Sequence, residues 1–259
     1  MNATDYLESG FLNVLRGQTF AAPANIYLGL FLSSPGENGE AGTEVSYSGY
    51  ARQVVAFSVP AASGAAVSIQ SLAQMTFPKA QTAGGTAMHV GLFDSLSGGN
   101  CLAYGALSEG ITIALGESPV VLAGDIKLSL AGQLSVAYKT ALLNLFRGIS
   151  ITGVSPYLSL WNGNPEDAGA EMAGGSYARV AVTFSAPTAA DSGQMVLEAA
   201  AGATFPRPTA SWGTWAYTAL MDAAADGAPI CIVQEASAAE IKSGYRPTFE
   251  AADIRVALN

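Results

Sequence analysis

Two periods alternate along this chain. Tyr6, Leu7, Phe11, Leu12, Val14 and Leu15 fall at helical spacing, and Gly17 suits a left-handed stop. Thr4 or Asp5 is placed to cap the first turn of that helix. The helical period then disappears. Ile26–Leu32 carries apolar groups at successive positions, as in a strand covered on both faces. Short runs at Ala66–Ile69, Met88–Phe93, Cys101–Leu107, Ile111–Ala114 and Val121–Leu130 read as further strands, separated by Gly, Pro, Asn and Asp turns. Helical spacing returns from about Ser135 to Arg147 and stops at Gly148, and Tyr157–Trp161 is again apolar on both faces. Short strands without alternating helices predict an antiparallel sandwich or flattened barrel.

The return of the helix is part of a longer repeat. FLNVLRG (Phe11–Gly17) recurs as LLNLFRG (Leu142–Gly148), and IYLGLF (Ile26–Phe31) as PYLSLW (Pro156–Trp161). SGYARQVVAFS (Ser48–Ser58) recurs as GSYARVAVTFS (Gly175–Ser185), MTFP as ATFP, HVGLFD as YTALMD, and AGDIKLSL as AADIRVAL. The blocks keep their order, and their separations stay between 127 and 131. Self-similarity of this kind marks a copied structural unit. The fold expected is mainly β: two tandem antiparallel β-sandwich or flattened-barrel domains, at 1–132 and 133–259, each preceded by a short N-terminal α-helix. In the SGYAR run, Ala51, Val55 and Phe57 share one face of a strand, as do Ala178, Val180, Val182 and Phe184. Tyr50 and Arg52, and likewise Tyr177 and Arg179, lie on the other face. That pair packs either against the helix of its own domain or against another subunit, where Tyr and Arg are favoured. Its presence in both copies favours the first alternative.

Composition narrows the function classes. Half of the 259 residues are hydrophobic and 12% are charged, against roughly 25% in an average globular protein. So much uncharged surface suits a subunit covered by neighbouring copies, a homo-oligomer or one of many copies in an assembly. The net charge of −9 is shared: residues 1–132 hold four basic and nine acidic side chains, and residues 133–259 hold seven and eleven. Without a basic stripe the chain is not expected to bind nucleic acid, and an acidic surface is a poor match for anionic membranes. MNATDYLESGFLNVL has no basic region followed by an apolar core, so no signal peptide is expected, and no apolar run approaches a membrane-spanning length. Two cysteines, Cys101 and Cys231, fit synthesis in a reducing cytoplasm.

Candidate chemistry is sparse. The lone histidine, His89, is matched by Tyr217 in the repeat, which suits a partly buried aromatic position better than a base or ligand. No catalytic motif is present, and neither an enzymatic activity nor a cofactor is expected. The acidic turns carry Glu37, Glu40 and Glu44 in the first copy and Glu166, Asp167 and Glu171 in the second. Such oxygens can hold Ca²⁺, but their spacing matches no dedicated loop and no metal is expected. As long loops on a rigid sandwich they are candidate partner contacts, together with the Tyr50–Arg52 and Tyr177–Arg179 pairs. Trp212 and Trp215 precede a strand where the first copy has no aromatic residue. They serve either core packing or, if exposed, a sugar or protein partner.

The first copy resembles the small proteins of tailed bacteriophages known as phage tail fibre proteins. The motifs that carry the likeness are TDYLE…LNVLRG, PANIYLGLFLSSPGENGEAGTEVSYSGYARQVVAF, MTFP and VGLFDSLSGGNCLAYGAL, and it spans nearly all of residues 4–130. The second copy departs from it: Gly91 becomes Ala219, and SGGNCLAYGAL becomes ADGAPICIVQE. The resemblance implies a virion structural protein made in the host bacterial cytoplasm, as a tail fibre or neck-collar component, with other virion proteins as partners. Its rivals are a host-surface carbohydrate-binding adhesin and a capsid decoration protein.

Overall fold

In the computed structural model, residues 1–190 and 193–258 are described. The chain is mainly β, with several antiparallel sheets and two α-helices; among the described residues no sheet closes into a barrel. Two compact units form. Unit 1 comprises Met1–Phe11, Ala21–Leu130 and Thr140–Ile151; unit 2 comprises Leu12–Phe20, Ala131–Lys139 and Thr152–Asn259.

Both helices start where a short hydroxyl residue can cap them. In α1 (Asp5–Val14) the cap is Thr4, whose carbonyl accepts from Glu8 N–H while its hydroxyl donates to Cys101 O at 2.5 Å. In α2 (Val136–Leu145) the cap is Ser135, whose Oγ accepts from Tyr138 N–H at 3.2 Å. Gly17 and Gly148 follow the helices with φ of +80° and +81°, the left-handed conformation that ends a helix.

The larger sheet of unit 1 runs, in spatial order, Asn2–Ala3, Cys101–Ile113, Gly85–Phe93, Ile26–Phe31 and Gln53–Val55. A three-stranded sheet (Lys127–Leu130, Ala66–Gln70, Ala61–Ser63) and a pair (Met75–Thr76 with Val120–Val121) complete it. Leu28, Leu92, Val67, Ile69, Phe77 and Ile126 fill its core. The inner strand Ile26–Phe31 is also covered on its other face, by Phe31 and Phe93 stacked at 5.7 Å beside Cys101 and Tyr104. Unit 1 includes the end of α2: Phe146 meets Phe57 edge-on at 5.9 Å, and Ser150 Oγ accepts from Ala22 N–H.

Unit 2 repeats the plan. Its larger sheet runs Val180–Ala181, Tyr157–Trp161, Gly213–Met221 and Pro229–Ile241, with a three-stranded sheet (Thr188–Ala189, Met195–Glu198, Arg255–Ala257) and a pair (Ala203–Thr204 with Thr248–Phe249). The long hairpin keeps the register of its counterpart: Gly85 faces Ile113 and Gly213 faces Ile241, with the same irregularity opposite Ala87/His89 and Trp215/Tyr217. Unit 2 includes the end of α1, where Leu12, Val14 and Leu15 are buried and Val14 O accepts from Val154 N–H at 2.9 Å.

Three local expectations change. Cys101–Leu107 and Ile111–Ala114 are one strand, Cys101–Ile113, because an irregular register lets pairing with Gly85–Phe93 resume beyond it. Val121–Leu130 is two strands, interrupted at Gly124 with φ +85°. The SGYAR run is irregular up to Arg52, and ladder pairing starts only at Gln53. The reason lies in the side chains of Tyr50 and Arg52.

Candidate functional site

Each Tyr–Arg pair is held by a carboxylate from its own acidic turn. Arg52 grips Glu44 with two hydrogen bonds of 2.8 Å, Nε to Oε1 and Nη2 to Oε2. Its remaining terminal nitrogen donates to Ser95 O at 3.0 Å and Gly98 O at 2.7 Å, and its guanidinium lies 3.5 Å from the centre of the Phe93 ring. Tyr50 OH donates to Glu44 Oε1 at 2.9 Å and accepts from Leu30 N–H at 2.9 Å. In unit 2, Arg179 grips Glu171 at 2.8 and 2.7 Å and donates to Ala223 O and Asp226 O; Tyr177 OH donates to Glu171 and accepts from Leu160 N–H. The arginine side chains are 7% and 6% exposed, the glutamates 27% and 22%.

A forked guanidinium matched to a carboxylate is the strong form of an ion pair. Here it ties three loops to the sheet: the acidic turn, the entry to the Gln53 strand, and the turn after Phe93. The Glu171 hydrogen bonds raise the pKa of Arg179, which stays charged. Desolvation, with the nearby carboxylate, raises both tyrosines far above their ordinary value, so their hydroxyls remain donors. The geometry thus places Tyr50, Arg52, Tyr177 and Arg179 in struts inside their own units.

The other acidic residues divide. Glu44 and Glu171 are strut members. Glu37 is exposed; its carboxylate accepts from Tyr104 OH at 2.6 Å and its carbonyl accepts from Asp5 N–H at 2.9 Å. Exposed Glu166 accepts from Val136 N–H at 2.6 Å, at the start of α2. Glu40 and Asp167 are exposed on the turns.

The tryptophans separate as well. Trp212 is buried, its indole N–H bound to Gly175 O at 3.0 Å and its ring edge-on to Tyr177 at 5.1 Å. Trp215 is half-buried, donates to Thr218 Oγ1 at 3.1 Å, lies edge-on to Phe249 at 5.6 Å, and walls a cleft of unit 2. Sequence reasoning missed Thr218, Glu235 and Phe249 on that cleft; the replacement of Val90, Leu107 and Val121 at the matching positions is the signal that could have found them.

Nucleophilic chemistry finds little support in the thiols. Cys101 and Cys231 are free and buried, and desolvation pushes both up to about 12, so they stay protonated near neutral pH.

Comparison with known proteins bears on both copies. Residues 2–129 and 133–257 each match the family model described as Podophage GP4 fiber I protein gp80. No curated protein matches the chain.

Proposed function

The chain belongs to the podophage GP4 fiber I protein gp80 family, a family of bacteriophage fibre structural proteins, and from that premise we propose that it is a non-enzymatic virion component whose unit 1 docks onto other proteins of the particle. The two matched stretches and the shared hairpin register support a copy boundary near Gly132, giving repeats at 1–132 and 133–259.

The observation that carries the docking reading is an asymmetry between two copies of one fold. Val54, Val59, Leu72, Leu96, Leu115 and Leu122 of unit 1 are all more than half exposed, from 52% to 69%. At the matching positions unit 2 has Ala181, Ala186, Ala200, Ala224, Ser243 and Glu250, every one smaller or polar. Folding does not require those side chains, since the sister unit folds without them. We read these side chains, large, apolar, exposed and dispensable for the fold, as the ones covered in the working assembly. The struts keep the surrounding loops fixed, which lowers the ordering cost of association. A tail fibre or neck-collar position, with several copies per particle, suits such a surface; so does capsid decoration.

Incorporation into particles tests the reading. Leu72→Asn combined with Leu122→Glu should leave the thermal transition in place while removing the protein from purified virions, as measured by quantitative immunoblotting. Tyr245→Ser, an equally exposed change in unit 2, should be incorporated normally. Normal incorporation of the unit 1 double variant would refute the docking surface.

A further inference from the structure

The geometry points to a sugar-binding cleft in unit 2, with the pyranose face against Trp215, which Phe249 buttresses edge-on, and the ring hydroxyls met by Glu235, Asp253 and Arg255. The cleft has a volume of about 390 Å³. This lies in the range of small-molecule sites, and it is room enough for the end of a glycan. Its floor is apolar, with Leu158, Leu220 and Ile254 all buried. The rings of Trp215 and Phe249, edge-on to one another, line the cleft together with the carboxylates of Glu235 and Asp253 and the guanidinium of Arg255.

The polar groups are set in advance. Trp215 N–H donates to Thr218 Oγ1 at 3.1 Å, and the Thr218 hydroxyl donates in turn to Glu235 Oε1 at 2.5 Å. This chain fixes the indole plane and one carboxylate oxygen, so Oε2 of Glu235 is the acceptor for a ligand hydroxyl. Asp253 is held by donation from Glu250 N–H at 3.0 Å, and Arg255 by Glu198 at 3.0 Å. A ligand that fits needs an apolar face and a polar edge, and it must tolerate two carboxylates. A sugar ring meets all three conditions. A phosphate or another anion fails the last, and a purely aliphatic ligand would strip water from the carboxylates without replacing it.

Unit 1 lacks these means. Its matching positions hold Ala87 for Trp215, Val90 for Thr218, Leu107 for Glu235 and Val121 for Phe249. Its matching space is also occupied: a side chain built on Gly105, the counterpart of Val233, would meet Met1, with Cγ 3.2 Å away. The residue of unit 2 that corresponds to Met1 is Gly132, which has no side chain. Where unit 1 has the Met1 side chain unit 2 has none, and aromatic and polar groups line the space instead.

The glycan class deepens the fibre reading and rests on it only in assigning the sugar to a cell surface. Sugar binding is measured on the purified full chain and docking on particles, so either can fail alone. The experiment screens a panel of hexoses, 6-deoxyhexoses, N-acetylhexosamines and their disaccharides by saturation-transfer NMR at millimolar concentration, with titration of any that respond. At least one sugar is expected to bind, and Trp215→Ala to weaken it by about tenfold or more, roughly 1.4 kcal/mol. Val233→Phe, which refills the cleft, should do the same and decides the matter if the tryptophan variant does not fold. A silent panel, or sugar binding undiminished in a folded variant, overturns the proposal.

Discussion

Units 1 and 2 pack the ring of the strut tyrosine in opposite ways. In unit 1, Tyr47 meets Tyr50 edge-on at 5.3 Å, and the residue just before the strand Gly85–Phe93 is Gly84, where an added Cβ would stand 2.8 Å from the Tyr47 ring. In unit 2 the counterpart of Tyr47 is Gly174, the counterpart of Gly84 is Trp212, and Trp212 meets Tyr177 edge-on at 5.1 Å. One aromatic wedge per unit is conserved in role, but it arrives from a different segment. The other face of the sheet shows a related exchange. Gly91 leaves room for the Phe31–Phe93 stack, since its added Cβ would lie 2.7 Å from Phe93; unit 2 has Ala219 there, with Trp161 and Met221 in place of the two phenylalanines. Volume is preserved while the residues that supply it move, as close packing demands. The Glu–Tyr–Arg strut does not move at all. A packing contact can be rebuilt by pairs of substitutions, whereas a bidentate ion pair sharing its acceptor with a tyrosine has few equivalent solutions.

If the struts are equivalent, removing either arginine should cost the same. Arg52→Ala and Arg179→Ala each leave a partly buried carboxylate and two loop carbonyls without their donor, and each is expected to destabilise its unit by about 3 kcal/mol. Urea denaturation of the full chain, with amide exchange assigned to each unit, checks this. A large effect in only one unit would break the equivalence.

A smaller effect sharpens the wedge comparison. Gly84→Ala should cost about 1–3 kcal/mol by crowding Tyr47 and Ile113. In a Tyr47→Ala background the penalty should shrink, giving a coupling of about 1 kcal/mol in the double-mutant cycle. Additive costs would mean that Gly84 does not exist to admit Tyr47.

The smallest effect concerns the helix starts. Asp5 N–H is satisfied by a backbone carbonyl, Glu37 O, but Val136 N–H by the side chain of Glu166. Glu166→Ala should therefore loosen α2 by about 1 kcal/mol, whereas Glu37→Ala leaves the first turn of α1 bonded. Amide exchange at Val136 and Asp5 distinguishes the two.

Much of this is legible in the sequence alone. Period and glycine stops placed both helices, and blocks repeating at near-constant spacing disclosed the copy. These signals are local, or they compare the chain with itself, so a linear reading holds them. The strut was half legible: the Tyr–Arg spacing stood out, but Glu44 and Glu171 read as members of solvated acidic turns. Only the folded turn brings a carboxylate back across eight residues to the guanidinium. Trp212 and Trp215 looked alike in sequence, three positions apart. The tertiary structure buried one beside Tyr177 and set the other on a cleft. What a side chain does there depends on the volume left by residues far along the chain, such as Gly174, Phe249 and Gly132, and no local pattern records that volume.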